Sequence, residues 1–333
     1  MAQLRRRWPD LEIIVEQIRT TGDAVTHVPL TKIGNDGVFV IEIERALLEK
    51  RIDLAVHSLK DLPTVQPTGL RLLVAGERED ARDVLISRQA LALDATPPAR
   101  IGTCSLRRTA QIRVLYPQAE ILSLRGNVDT RLRKLDAGEY DAIILAAAGL
   151  HRLGVPADLS ARMTYLSFEQ VLPAPGQGAL GLELRDEPEL LELLAPITNR
   201  AAQMTTSAER MFMRRLGAGC YLPVAAYATL AEKELRLDGL VTSLDGCDQA
   251  RVRGSVPWTA KSSVELAERL GVALAEQALE QGAGRIIADL LQYPQTDRMQ
   301  EVSTAPLMPV DEDYSIRGKS NKSSDLAQEQ QHA

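Results

Sequence analysis

Residues 101–108 read Ile-Gly-Thr-Cys-Ser-Leu-Arg-Arg, and the passage from apolar to helical within them decides the fold. A turn-forming Gly102 leads through Thr103 and Ser105 into a segment whose Leu106, Ala110 and Val114 are spaced for one helical face. Ser105 stands where an N-cap belongs, which puts Arg107 and Arg108 in the first helical turn. That end of a helix already carries about half a positive charge, so cations there are misplaced unless an anion joins them. Two guanidinium groups beside free backbone N–H groups are arranged to receive one.

Working outward, strand and helix alternate. Residues 99–103 read as a strand, 106–115 as a helix, 119–124 as a strand, 128–137 as a helix and 142–148 as a strand. Upstream the spacing predicts a strand over 11–18, a helix over 38–50 with Val38, Ile41, Arg45 and Leu48 along one side, and a nearly continuous apolar strand over 52–59. Strands buried on both faces and separated by helices predict parallel α/β sheets. After a helix start at 205–209 the pattern changes. Residues 221–227 and 234–241 read as an antiparallel pair and 262–280 as a long helix with Gly282 just past its end. This predicts a smaller α+β domain. From Tyr293 onward apolar periodicity stops, and a disordered tail is expected.

The 333 residues leave room for two or three domains, and 45% hydrophobic with 25% charged residues is ordinary for a soluble globular protein. A formal charge of −6 argues against general nucleic-acid binding, yet residues 101–135 hold seven bases against two acids, a local charge of +5. No segment approaches the ~20 apolar residues of a membrane span. The basic start lacks an apolar h-region, so no signal peptide is expected and the cytoplasm is the expected compartment. Cys104, Cys220 and Cys247 show no CxxC spacing and read as reduced thiols. The four histidines show no ligand spacing, so no metal is expected.

Three further loops could carry chemistry. Lys60 and Asp61 follow a buried strand, where open sheets bind ligands, although composition alone favours an exposed pair at the turn before Pro63. Arg125 and Arg131 flank Asn127, an N-cap for a helix whose Val128, Leu132 and Leu135 pack inward. This repeats the cation-at-helix-start arrangement, and two such misfits on consecutive helices favour a polyanionic ligand over a solvated basic face. Small residues flank Cys220 and leave its thiol reachable. On physics alone Cys104 is the better nucleophile, because a helix terminus and two arginines should lower its pKa, whereas acidic neighbours should raise that of Cys247.

Over roughly residues 10–292 the chain resembles the hydroxymethylbilane synthase (porphobilinogen deaminase) family. The resemblance rests on Thr21-Gly22-Asp23, residues 29–37, 56–63, 77–83, 102–108, 124–131, 141–154 and 172–179, and Gly219-Cys220. It implies a monomeric, cytoplasmic transferase of tetrapyrrole biosynthesis. Such an enzyme condenses four porphobilinogen molecules into a linear tetrapyrrole through polypyrrole intermediates, releasing ammonia. It also implies a dipyrromethane cofactor held by a thioether to Cys220, which makes Cys104 a bystander. By the same resemblance Asp61 is the catalytic carboxylate. Lys60, Thr103, Ser105, Arg107, Arg108, Arg125 and Gly126 bind the cofactor, and Arg131, Arg152 and Lys32 bind substrate. Two hinged domains like those of type II periplasmic binding proteins are implied, 1–78 with 174–196 and 79–173. A third domain at 197–293 carries Cys220, and 294–333 is the tail.

Two departures stand out. The family begins with a strand bearing an Arg and a Ser, expected between residues 11–18 and 52–59, and this chain starts near the end of the helix that follows it. The expectation is that the true start lies upstream of Met1. Asp36 replaces a customary lysine. The lost segment is the only support for an alternative, a catalytically impaired anion-binding protein of the same fold. Nucleic-acid binding ranks last, since only Tyr116 and Tyr140 lie near the arginines.

Overall fold

Short runs rich in Val, Ile and Leu, each bounded by turn residues, condense into three sheets. The computed structural model describes residues 1–18, 40–88, 98–219 and 222–292. In chain order the strands are β1 (Leu54–Ser58), β2 (Leu70–Ala75), β3 (Asp83–Ser87), β4 (Arg100–Gly102), β5 (Glu120–Leu122), β6 (Ala142–Ala146), β7 (Met163–Tyr165), β8 (Leu180–Arg185), β9 (Val224–Ala231), β10 (Glu234–Thr242) and β11 (Gln249–Pro257). The first sheet has the order β1-β8-β2, with β8 antiparallel to both neighbours.

The second sheet has the order β5-β4-β6-β3-β7. Its β4 runs parallel to β5 and β6, while β3 runs antiparallel to β6 and β7. One reversed strand set between the third and last of a parallel series is the type II binding-protein arrangement, so the chain has a mixed α/β fold. The third sheet, β11-β10-β9, is antiparallel throughout. It packs against the Arg200–Arg215 and Val264–Glu280 helices around a core that includes Phe212, Val241 and Ala275. Those two helices touch closely: a Cβ on Gly271 would lie 2.4 Å from the Ala208 carbonyl oxygen.

The chain passes from the first sheet to the second through residues 76–82 and returns through 166–179. The two crossings lie side by side, with Glu79 N–H donating to the Gly178 carbonyl at 3.1 Å. Gly178 has φ +90°, and a Cβ there would sit 2.3 Å from the Glu79 carbonyl oxygen, so only glycine fits the approach.

Several elements fall where the sequence places them. The helix Leu106–Leu115 has the expected bounds, Val128–Asp136 is one residue shorter, and Val264–Glu280 begins two residues late. Others differ. Residues 11–18 form no strand. Leu11 and Ile13 lie against the cluster that includes Leu182 and Leu184, while Ile14 and Val15 are exposed, and among the described residues no strand pairs with this backbone. Among the described residues β1 is an edge strand with Val56 exposed.

The Ile41–Leu48 helix buries Ala46 and Leu47 and leaves Ile41 and Leu48 half-exposed, the reverse of the expected face. Likewise the Leu106–Leu115 helix buries Arg107, Arg108, Gln111 and Ile112 and exposes Val114. There an internal carboxylate overrides the hydrophobic pattern. The expected tail from Tyr293 lies outside the described residues.

Candidate active site

The strand β4 ends at Gly102, and the next residues make the cap. Thr103 Oγ1 accepts from Ser105 N–H at 3.2 Å, and Ser105 Oγ accepts from Arg108 N–H at 3.4 Å. Capping turns the helix so that both arginine side chains run inward, only 4% and 6% exposed. An anion does meet them, and it is internal. Asp83, fully buried at the start of β3, takes Arg108 through Nη2 at 2.7 Å and Nε at 3.2 Å. Its other oxygen lies 2.9 Å from Arg107 Nη2, at ion-pair distance though not aligned as a hydrogen bond.

Burial alone would raise the Asp83 pKa, but the two guanidiniums overrule it and hold it far below the ordinary carboxylate range. The donors are not saturated. Arg107 Nη1 donates to the Leu172 carbonyl at 2.7 Å and Arg108 Nη1 to that of Ile144 at 3.0 Å, while Arg107 Nε is buried with no partner among the described residues.

Lys60 and Asp61 sit on the 3-10 turn Leu59–Asp61 directly after β1. Arg210, from the Arg200–Arg215 helix, braces this turn through the carbonyls of Leu62 at 3.2 Å and Pro63 at 2.6 Å. Asp61 is exposed, whereas Lys60 points inward and donates to Gln177 Oε1 at 3.2 Å. Burial, reinforced by Arg108, lowers the Lys60 pKa to about 8.

On the next helix Asn127 caps Thr130 N–H at 2.8 Å, and Arg131 Nε donates to the Gly126 carbonyl at 2.7 Å. Arg125 is partly buried just before that cap. Arg152 reaches back to the second crossing and donates to the Gly178 carbonyl at 2.7 Å. Thus Lys60, Arg107 and Arg152 bond to the second crossing and Arg108 to Asp83, the residue that follows the first, while Arg125, Gly126 and Arg131 form a second group at the neighbouring helix start. Lys32, Asp36 and Cys220 lie outside the described residues. Cys104 is a partly exposed free thiol, and Asp245 raises the pKa of exposed Cys247.

Sequence reasoning missed three residues that organise this site. Asp83 opens an otherwise apolar strand, and an acid in such a run is the signal that could have found it. Gln177 hides between two glycines. Glu209 is fully buried in a helix yet takes Arg78 Nη1 at 2.6 Å, Arg78 Nη2 at 3.0 Å, Gly176 N–H at 2.7 Å and Ala228 N–H at 2.7 Å. It joins both crossings to the third sheet.

Two sheets joined by paired crossings, with cations gathered beside them, define an α/β protein of the hinged binding-protein type bearing an anion-receptive site. Residues 1–192 match the family described as porphobilinogen deaminase, dipyromethane cofactor binding domain, and residues 203–280 match the porphobilinogen deaminase C-terminal domain. The chain belongs to the porphobilinogen deaminase family.

It is 44% identical over 291 residues to the porphobilinogen deaminase of Syntrophobacter fumaroxidans, covering 87% of this chain and 91% of that one. Identity is 46% over 287 residues with that of Roseiflexus sp. strain RS-1, covering 86% and 91%. With that of Syntrophotalea carbinolica it is 45% over 311 residues, covering 92% of each. Among solved structures, the probable amino-acid ABC transporter extracellular-binding protein ytmK of Bacillus subtilis matches at 10% identity, covering 59% of this chain and 78% of that one. Its TM-score of 0.34 carries no further weight.

The residues present fit the family's cofactor. A dipyrromethane bears acetate and propionate groups, and the site offers hydroxyls at Thr103 and Ser105, the Lys60 ammonium, and the unpartnered Arg107 Nε.

Proposed function

We propose that the chain condenses four porphobilinogen molecules head to tail, releasing one ammonia at each condensation, and that water then cleaves the product from the primer, supplying the hydroxyl of the linear tetrapyrrole hydroxymethylbilane. The observation that carries this reading is the gathering of Lys60, Arg107 and Arg152 on the second crossing and of Arg108 on the adjoining Asp83, next to the Asp61 turn. Each porphobilinogen brings two carboxylates, so the growing chain is a polyanion suited to charge-assisted, often bidentate contacts. When bound through Cys220, the dipyrromethane supplies the pyrrole carbon from which the chain grows.

The protein's own residues then divide the work. Asp61, exposed at the end of its turn, accepts from the substrate pyrrole N–H. It also stabilises the positive charge that develops as the aminomethyl C–N bond breaks and ammonia leaves. Lys60, Thr103, Ser105, Arg107, Arg108, Arg125 and Gly126 hold the carboxylates of the primer. Arg131, Arg152 and Lys32 take those of incoming substrate. Cys104 stays a neighbour of the site with no covalent role.

We further assign residues 1–78 with 174–196, 79–173 and 197–293 to three domains. The membership of β1, β2 and β8, of β3–β7, and of β9–β11 in separate sheets supports this partition. A monomer acting in the cytoplasm, on small molecules rather than nucleic acid or membrane, completes the reading. Among the described residues no helix is long and apolar enough to cross a membrane.

Denatured mass before and after mixing with porphobilinogen tests the function. A covalent dipyrromethane adduct is expected, absent from Cys220→Ser, with further mass steps on adding substrate. An unmodified, inert chain would overturn the reading. Asp61→Ala should keep the adduct and lose turnover, and Arg108→Ala should impair cofactor assembly. Size-exclusion chromatography checks the monomer.

A further inference from the structure

Gln177 lies on the second crossing, 1% exposed, and belongs to no helix or strand. Its amide faces opposite charges on its two sides. Oε1 accepts from Lys60 Nζ at 3.2 Å, and Nε2 donates to Asp83 Oδ1 at 2.9 Å and to the Ala81 carbonyl at 2.7 Å. Its backbone is fixed as well, the carbonyl accepting from Arg78 Nε at 2.9 Å and the N–H donating to the Ala174 carbonyl at 2.9 Å.

An ammonium needs an acceptor and a carboxylate needs a donor, and a neutral amide offers both on adjacent atoms. A glutamate here would set a second carboxylate against Asp83. An apolar residue would break both bonds in a buried place, where lost partners are costly.

We propose that Gln177 is a positioning residue that joins Lys60 to the Asp83–Arg107–Arg108 cluster and keeps the lysine ammonium separated from the Asp83 carboxylate by one uncharged group. Asp83 is already shared by two guanidiniums. A direct Lys60–Asp83 pair would draw the lysine toward the protein's own anion and away from a ligand's carboxylate. With the amide between them, Lys60 is held in place by a neutral acceptor and its charge stays directed to the site. Among the described residues, Arg107 and Arg108 from the Leu106–Leu115 helix, Asp83 from β3 and Asp61 from its own turn act on Lys60. This setting agrees with a lysine whose pKa is lowered to about 8. The assignment of ligand contact to Lys60 rests on the proposed function, whereas the link between Gln177 and Lys60 does not.

The test follows the Lys60 titration in intact protein carrying [ε-13C]lysine, its signal identified by loss in Lys60→Arg. The wild type should titrate near pH 8. In Gln177→Glu, a near-isostere, an opposite charge at hydrogen-bond range should raise the midpoint by about one unit or more, a tenfold gain in proton affinity. In Gln177→Met, whose side chain still separates Lys60 from Asp83 but offers no amide acceptor, the midpoint should fall, because Arg107 and Arg108 remain.

In both variants the Michaelis constant for porphobilinogen should rise several-fold. A purely structural role would leave the lysine midpoint where it is. Unchanged midpoints in the folded variants would overturn the proposal, and if Gln177→Met does not fold, Gln177→Glu decides alone. Failure of the adduct in the mass experiment would remove the function but leave the Lys60 titration standing.

Discussion

Arg107 and Arg108 illustrate what a single residue can announce. Their place in a first helical turn is electrostatically wrong in isolation, and that misfit was readable from sequence. The partner was not, because Asp83 lies 24 residues before Arg107 in the chain and reaches the helix only through the sheet order. A buried carboxylate between two guanidiniums ties folding to pH. Its folded pKa lies far below the ordinary value near 3.8, so the stabilisation is complete above that value and drains away as pH falls below it.

Asp83→Asn should therefore flatten the acid limb of thermal stability. At neutral pH it should cost about 3–5 kcal/mol, since two buried cations lose their counter-ion. Melting curves from pH 2 to 7 check both. Lys60 gives a slope of the same sign at the alkaline end, although here it is the charged form that burial disfavours. Its folded pKa of about 8 lies below the ordinary 10.5, so stability should rise with pH between those values, and Lys60→Met should remove that rise.

At the scale of elements, legibility followed the caps. Ser105 and Asn127 each accept a backbone N–H from three residues on, and the helices they open begin where the sequence placed them. Faces were harder to read. Periodicity assigns apolar residues inward, but the Leu106–Leu115 helix is turned by a buried ion cluster, and Val114 instead abuts Gly246 at the surface. β11 escaped notice because its inward positions, Ala250, Val252 and Gly254, are small and alternate with Arg251, Arg253 and Ser255. Residues 11–18 look like a strand by composition, yet a strand needs a hydrogen-bonding neighbour, and none of the described strands pairs with them.

The close contact at Gly271 offers a sharp test of packing between elements. Gly271→Ala would place a methyl 2.4 Å from the Ala208 carbonyl oxygen, so the helices must part. The cost should be about 1–3 kcal/mol despite the better helix propensity of alanine, read as a lower melting temperature.

Across the whole molecule, the family motifs made the architecture readable, whereas the residue that links its parts was silent. Glu209 looks in sequence like one more acid on an amphipathic helix. In three dimensions it receives donors from residues 78, 176 and 228, which lie in both crossings and in β9. Glu209→Ala leaves Arg78, with a side chain only 12% exposed, lacking its bidentate partner. A loss of about 3–5 kcal/mol is expected, measured by chemical denaturation.

That junction also bears on how the gene could be divided. A break in the chain between the Ala195–Ile197 turn and the Arg200–Arg215 helix falls near the boundary of the two family matches and invites separate expression. The larger piece would then keep Arg78 and the Gly176 N–H with no acceptor. The smaller would bury a bare carboxylate beneath β9. Each fragment made alone should aggregate, while co-expression should restore a soluble heterodimer by complementation.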